Sequence, residues 1–173
     1  HSRRFIAASP FVVLGTNGDV SPRGDDPGFV HVIDDNTVLL PDRKGNNRLD
    51  SMQNIVEDPT VALMFLIPGI SETFRIRGEA EITTDPALLE PLAVNGQVPA
   101  SGLIIHVKEA YIHCAKAILR SKIWGEDNKL DRKEFAATKI IAAHTNRSQA
   151  DYDAYYEDNM KQAMAEEGRE YDK

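Results

Sequence analysis

The first forty residues break into four short apolar stretches, each closed by turn-forming residues, and that spacing leaves little room for anything but antiparallel β-structure. Phe11 to Thr16 is apolar and β-branched. Asn17-Gly18 is placed to supply the two positive-φ positions of a type I′ hairpin, and Asp19-Val20-Ser21 begins the return strand. Pro22, Gly24, Pro27 and Gly28 interrupt pairing before Phe29 to Ile33. The turn Asp34-Asp35-Asn36 then leads into Thr37 to Leu40.

After Pro41 the composition changes. Asp42-Arg43-Lys44-Gly45-Asn46-Asn47-Arg48 is a basic loop, and Leu49, Met52, Ile55 and Val56 follow at helical spacing. Asp58-Pro59 stops that helix, because a residue before proline is pushed out of the α region. Val61 to Ile67 is apolar at every position, as expected of a strand covered on both faces by core and by a helix or partner subunit. From Thr73 to Ile82 the residues alternate, with Phe74, Ile76, Ala80 and Ile82 on one face and Arg75, Arg77, Glu79 and Glu81 on the other. Asp85-Pro86 opens a short helix with Leu88, Leu89 and Leu92 as its apolar side. A Gly/Pro/Ser stretch from Gly96 to Gly102 is the loosest segment, and Leu103 to Cys114 reads as a long, bent strand. Beyond Trp124 the chain turns polar and helical, with helices expected over 132–144 and 148–167. Ser148 and Asp151 resemble a capping box for the second, whose Tyr152, Tyr156, Met160 and Ala163 form a docking stripe.

Size and charge exclude whole classes of function. A chain of 173 residues buries roughly 70% of its unfolded surface, enough for a core without disulfides or a structural metal. The formal charge of −7 argues against broad nucleic-acid or anionic-membrane binding, so any anion site must be local. The longest apolar run, Val61 to Ile67, is seven residues, far short of the roughly 20 a membrane helix needs. The single cysteine, Cys114, rules out an intrachain disulfide and multi-cysteine metal sites, which fits a reducing compartment and makes cytoplasm the expected location. The chain opens at His1, Ser2, Arg3 and Arg4 with no stretch of signal-peptide length, and reads as a fragment or a cut tag.

Three segments carry candidate chemistry. Arg43, Lys44 and Arg48 put three cations into six residues beside a helix start, which suits a phosphate-sized anion; the alternative is a solvated loop balancing Asp42 and Asp50. Ser21-Pro22-Arg23-Gly24 combines a hydroxyl, a rigid backbone and a guanidinium, and serves either a flat heteroaromatic edge or simply a turn between strands. His113 and Cys114 are adjacent on a strand and point to opposite faces, so they do not share a proton. The histidines have no metal-ligand spacing and no metal site is expected; phosphate-binding glycine motifs are missing from the sequence as well.

The order of strand, Ser21-Pro22-Arg23-Gly24, strands ending in Pro41-Asp42-Arg43-Lys44-Gly45-Asn46-Asn47-Arg48, short helix, Asp58-Pro59, apolar strand, then Phe74-Arg75-Ile76-Arg77-Gly78-Glu79-Ala80 resembles the FMN-binding split barrels of the pyridoxamine 5′-phosphate oxidase-like superfamily. The resemblance covers roughly residues 5 to 125 and is strongest to a bacterial subgroup that also carries a segment like His113-Cys114-Ala115-Lys116. It implies a mainly β fold, a six-stranded antiparallel split barrel over 1–125, with a C-terminal helical extension over 126–173 packed on the barrel or on a dimer partner. It further implies a homodimer with FMN at the subunit interface. By the same resemblance Pro41, Arg43, Lys44 and Asn47 belong to the phosphate segment, and Ser21, Pro22 and Arg23 to the isoalloxazine edge. Thr73 stands where relatives place a flavin-contacting glutamine, while Lys116, Arg120, Ser121 and Trp124 close the cleft from the second subunit or form a structural turn. Authentic pyridoxamine phosphate oxidases end in an Arg-x-His segment, which the acidic terminal helices replace here, and that departure speaks against oxidation of pyridoxamine phosphate. The implied activity is a flavin-dependent oxidoreduction of a small substrate with an unassigned electron donor. A flavin-storage or regulatory module, or a barrel using haem or a deazaflavin, is the alternative.

Overall fold

The computed structural model describes residues 1–45, 48–130, 137–145 and 148–171. Among these, seven strands form one antiparallel sheet: β1 (Phe11–Thr16), β2 (Asp19–Gly24), β3 (His31–Val32), β4 (Thr37–Asp42), β5 (Thr60–Leu66), β6 (Thr73–Thr83) and β7 (Ser101–His113), in the order β2-β1-β5-β6-β7-β4-β3. The helices are α1 (Ser2–Ala8), α2 (Asp50–Glu57), α3 (Pro86–Leu89), α4 (Lys116–Ser121), α5 (Ala137–Thr145) and α6 (Gln149–Glu166). The architecture is the mainly β split-barrel type expected, with seven strands rather than six because the two-residue β3 pairs with β4.

Two compact units result: His1–Ala93 with Val98–Trp124, and Val94–Gln97 with Gly125–Lys173. In the first, the sheet's inner face meets α1 and α2. Phe65, Leu14, Val12 and Ile105 are fully buried, and the rings of Phe65 and Phe5 lie 6.2 and 5.8 Å from that of Phe74. The residues read as a cut tag form α1, whose Ile6 enters this core. Ser9, fully buried just beyond it, donates to the carbonyls of Phe11 and Leu66 at 2.8 and 2.7 Å, tying the helix to β1 and β5.

Several local expectations need correction. Asn17 keeps a negative φ and only Gly18 is positive, at 75°, so the β1–β2 turn is not type I′. The type I′ pattern falls instead at Asn95-Gly96, with φ of 49° and 77°, where Val94 and Gln97 exchange backbone hydrogen bonds at the start of the stretch, Gly96 to Gly102, expected to be loosest. Phe29 and Val30 are buried but only His31–Val32 pairs as strand. In β5 burial alternates: Val61, Leu63 and Phe65 face the core, while Met64 is exposed, so within one chain only one face of this strand is covered. Helix α2 buries Ile55, whereas Leu49 and Val56 face solvent.

A bulge at Lys108 shifts the β6–β7 register between Arg77 and Gly78 and bends the sheet. A Cβ on Gly78 would stand 2.3 Å from the His106 carbonyl oxygen, so the close approach of the two strands there requires glycine. In the second unit, Ser148 caps α6 reciprocally with Asp151, accepting from its N–H at 3.2 Å and donating to its carboxylate at 2.6 Å. The expected stripe of Tyr152, Tyr156, Met160 and Ala163 is half-buried. The first turn of the helix expected over 132–144 lies outside the described residues.

Candidate functional site

The basic loop leaves β4 at Asp42 and enters α2 at Asp50, and both of its ends are pinned. At the entry, Arg23 Nη1 on β2 donates to Asp42 Oδ1 at 2.6 Å, and Arg43 Nε donates to Asp25 Oδ2 at 2.6 Å. Arg43 Nη2 also donates to the Leu92 carbonyl at 2.8 Å. At the exit, the Ser51 hydroxyl in the first turn of α2 lies 3.2 Å from that of Ser21, which in turn accepts from Arg23 Nε at 3.3 Å. Ser51 is buried, and no side chain caps the helix, whose N-cap is Leu49. Between these pins Lys44 and Arg48 are exposed, Arg48 reaching Asp50 at 2.9 Å.

Ser21-Pro22-Arg23-Gly24 is therefore not a turn but the outer half of an edge strand. An edge is where a proline fits, because its missing N–H costs no ladder bond there. Ser21 and Arg23 share one face of β2 and enter the cluster. Pro22 alternates to the other face, exposed, and pairs across to Val13. Pro41 is fully buried under the loop entry. Asn47 lies outside the described residues.

The remaining expected residues gather elsewhere. Thr73, buried, starts β6 opposite His113, the last residue of β7. Lys116, Arg120 and Ser121 are exposed on α4, where the Ser121 hydroxyl donates back to the Ile118 carbonyl at 3.0 Å. Trp124 Nε1 donates to the Ile70 carbonyl at 2.9 Å, closing this turn against the β5–β6 connection. At the far end of β6, Thr83 pairs with Gly102, which pairs with Pro41. Thr73 and Thr83 stand about 33 Å apart along the strand at roughly 3.3 Å per residue, so the Thr73–Trp124 group and the basic loop occupy opposite ends of β6 and β7.

Sequence reasoning missed Asp25, Ser51 and the Leu92 carbonyl. Asp25 reads as turn punctuation before Asp26-Pro27, and a carbonyl leaves no trace in a side-chain pattern. Ser51 had a signal: a hydroxyl one residue into an uncapped helix that follows a basic loop. Among the described residues, three or more His, Cys, Asp or Glu side chains nowhere gather as a metal would need.

What the cluster offers chemically is cations, hydroxyls and a helix start around one loop, with each of its three guanidiniums ion-paired to an aspartate. Residues 1–114 match the model of the pyridoxamine 5′-phosphate oxidase family. The chain belongs to that family. The match covers the whole sheet and ends one residue past β7. Among solved structures, HupZ of Group A Streptococcus superposes with a TM-score of 0.51 at 19% identity, covering 64% of this chain and 90% of that one. An FMN-binding protein from Syntrophomonas wolfei superposes with a TM-score of 0.52 at 13% identity, covering 65% and 84%. Identities this low show a shared fold. No curated protein matches the chain. Among the described residues no helix is long and apolar enough to cross a membrane.

Proposed function

We propose that the chain is an FMN-binding oxidoreductase that works as a homodimer on a small substrate in the cytoplasm. The observation that carries this reading is the basic loop between β4 and α2, held at both ends, in a chain of this family. Its donor set suits a phosphate dianion: exposed ammonium and guanidinium groups, hydroxyls, and the first-turn N–H groups of a helix that no side chain caps. Lys44 and Arg48 would bind the phosphate, while Ser21 and Arg23 would line the ring edge. FMN, when bound, supplies hydride transfer, and the protein's part is to hold, orient and exclude water.

The separation of the two residue groups supports a two-copy site. Thr73, Lys116 and Trp124 lie at one end of β6 and β7 and the basic loop at the other, so both groups meet one flavin when a second copy supplies one of them. The exposed outer face of β5, expected to be covered on both sides, leaves surface for such a copy.

The test is the visible absorption spectrum of the purified full chain, with mass identification of whatever acid releases, followed by FMN titration. FMN that co-purifies or binds, with loss of affinity on replacing Arg43 and Lys44 together by Ala, is the expected result. A colourless chain that fails to bind added FMN would sink the reading. A second reading, a non-catalytic flavin carrier, is favoured by one observation: the carboxylates at the cluster, Asp25, Asp42 and Asp50, are all engaged by guanidiniums. Turnover of NADH or NADPH above that of free flavin separates the two.

A further inference from the structure

Two Asn-Gly pairs stand in turns of this chain, Asn17-Gly18 between β1 and β2 and Asn95-Gly96 ahead of β7, and the fold treats their side chains differently. Asparagine before glycine is chemically labile, because without a Cβ the glycine nitrogen can approach the asparagine Cγ unhindered. Both pairs are exposed. A Cβ built on Gly18 or on Gly96 would meet nothing within 4 Å, and among the described residues neither glycine N–H has an acceptor. The nucleophile is therefore equally open in the two turns, but the electrophile is not. The Asn95 amide nitrogen donates to the Glu167 and Gly168 carbonyls at 2.9 and 3.2 Å, inside one compact unit of the chain. The Asn17 amide has no hydrogen-bond partner among the described residues.

We infer that Asn17 is a site of spontaneous covalent modification, deamidation through a cyclic imide, and that the contacts of the Asn95 amide protect the second pair from the same reaction. The Gly18 nitrogen attacks Asn17 Cγ and forms a C–N bond, and the side-chain nitrogen leaves as ammonia with the proton that Gly18 gives up. Water then opens the imide at either carbonyl. Attack at Cγ yields aspartate, whereas attack at the backbone carbonyl yields isoaspartate, whose main chain runs through Cβ and Cγ. Both products place a new carboxylate two residues before the exposed Asp19. Isoaspartate also adds a carbon to the turn that the Thr16–Asp19 pair closes, and the length of a turn sets the register of its hairpin. Thr16 is buried and accepts from Asn54 Nδ2 at 3.0 Å, so a longer tip loosens the tie between this hairpin and α2 as well.

The test follows both pairs in one sample. The folded full chain is held in warm, mildly alkaline buffer, and aliquots are digested with trypsin and mapped by mass. Residues 5–23 and 78–108 form separate tryptic peptides, each with a single asparagine, so the conversion of an amide to an acid is read at Asn17 and at Asn95 independently. Conversion at Asn17 is expected to run about fivefold or more ahead of Asn95, because two hydrogen bonds must break before the Asn95 amide can react. Part of the Asn17 product should accept a methyl group from S-adenosylmethionine through an isoaspartyl carboxyl methyltransferase. In urea the two rates should converge, since each site is then only an asparagine before a glycine.

Gly168→Ala tests the protection directly. Its Cβ would stand 3.0 Å from that of Asn95, at a backbone φ of 67° that alanine resists, so the variant displaces the contacts of the Asn95 amide. It should speed conversion at Asn95 and leave the rate at Asn17 unchanged. Equal rates in the folded parent, a faster reaction at Asn95, or an Asn17 that converts only in urea overturns the inference. So does a G168A variant in which Asn95 reacts as slowly as in the parent.

Discussion

Arg23 Nη1 stands 2.6 Å from Asp42 Oδ1, although β2 is one edge of the sheet and β4 lies next to the other. The pair therefore closes the curl of the sheet, joining two flanks that share no ladder bonds. Both side chains are mostly shielded, at 19% and 27% exposure, which keeps solvent from screening the interaction fully. Arg23→Met keeps the apolar stem and removes the charge. It is expected to cost about 1 to 3 kcal/mol, as for hydrogen bonds to charged groups, with an unchanged denaturant slope. Urea unfolding measures it, and a variant as stable as the parent would show that the seam holds without the pair.

The strands β6 and β7 pass so closely that Gly78 has no room for a side chain. Its Cβ would meet the His106 carbonyl at 2.3 Å, and the neighbour is backbone that cannot rotate away. Gly78→Ala is expected to destabilise by about 1 to 3 kcal/mol or more, because the strands must part where the Lys108 bulge already bends them. The same substitution at Gly15, whose Cβ would find the Ala62 carbonyl oxygen at 3.6 Å, is the control and should cost far less. Equal stability of the two variants would contradict the close approach.

How much of this was legible in advance follows from the range of each interaction. The alternation of Thr73 to Ile82 and the breaks at Asp58-Pro59 and Asp85-Pro86 are local, and the strand and helices appeared where they pointed. Asn17-Gly18 and Asn95-Gly96 are the same dipeptide, yet only the second takes positive φ at both positions, so the dipeptide alone does not fix the turn type. The apolar run in β5 promised cover on both faces, yet apolarity cannot say whether the second cover is in the same chain. At the candidate site the residue types of the basic loop and of Ser21-Pro22-Arg23-Gly24 were readable, but the pairings of Arg43 with Asp25 and the Leu92 carbonyl, and of Ser21 with Ser51, join positions distant in sequence that only the folded sheet brings together.

Two aspartates held by backbone N–H groups, Asp58 and Asp34, set part of the acid sensitivity. The Asp58 carboxylate accepts from the Thr60 N–H at 2.9 Å, and that backbone bond, helped by the Thr60 hydroxyl, holds it below its ordinary 3.8. Asp34 is lowered in the same way, first by the Asn36 N–H. A carboxylate whose folded pKa is depressed adds stability above its unfolded pKa and loses it as pH falls through the folded value. Asp58→Asn should therefore flatten the fall in stability below about pH 4, lowering stability by a constant amount between pH 6 and 8 and converging with the parent in acid. Unfolding midpoints across that range test it, and an acid limb identical to the parent's would refute the assignment.

Asn95 serves two structures at once. Its backbone, at φ 49°, forms the first half of the type I′ turn with Gly96, and its side-chain amide donates to the carbonyls of Glu167 and Gly168 at 2.9 and 3.2 Å. Those carbonyls are at the C-terminal end of α6, where Gly168 takes φ 67° and the Arg169 N–H closes onto the Met164 carbonyl at 2.8 Å. A pair of substitutions separates the two roles. Asn95→Gly keeps the positive φ and removes the amide, whereas Asn95→Ala removes the amide and adds backbone strain, which costs roughly 1 kcal/mol more at such a position. Amide hydrogen exchange over residues 163–169 should quicken in both variants to a similar degree. Exchange at Val94 and Gln97, which share the turn's backbone bonds, should quicken in the alanine variant alone. Protection of the last turn of α6 that survives both substitutions would mean that the helix end holds itself and that Asn95 matters only to its own hairpin.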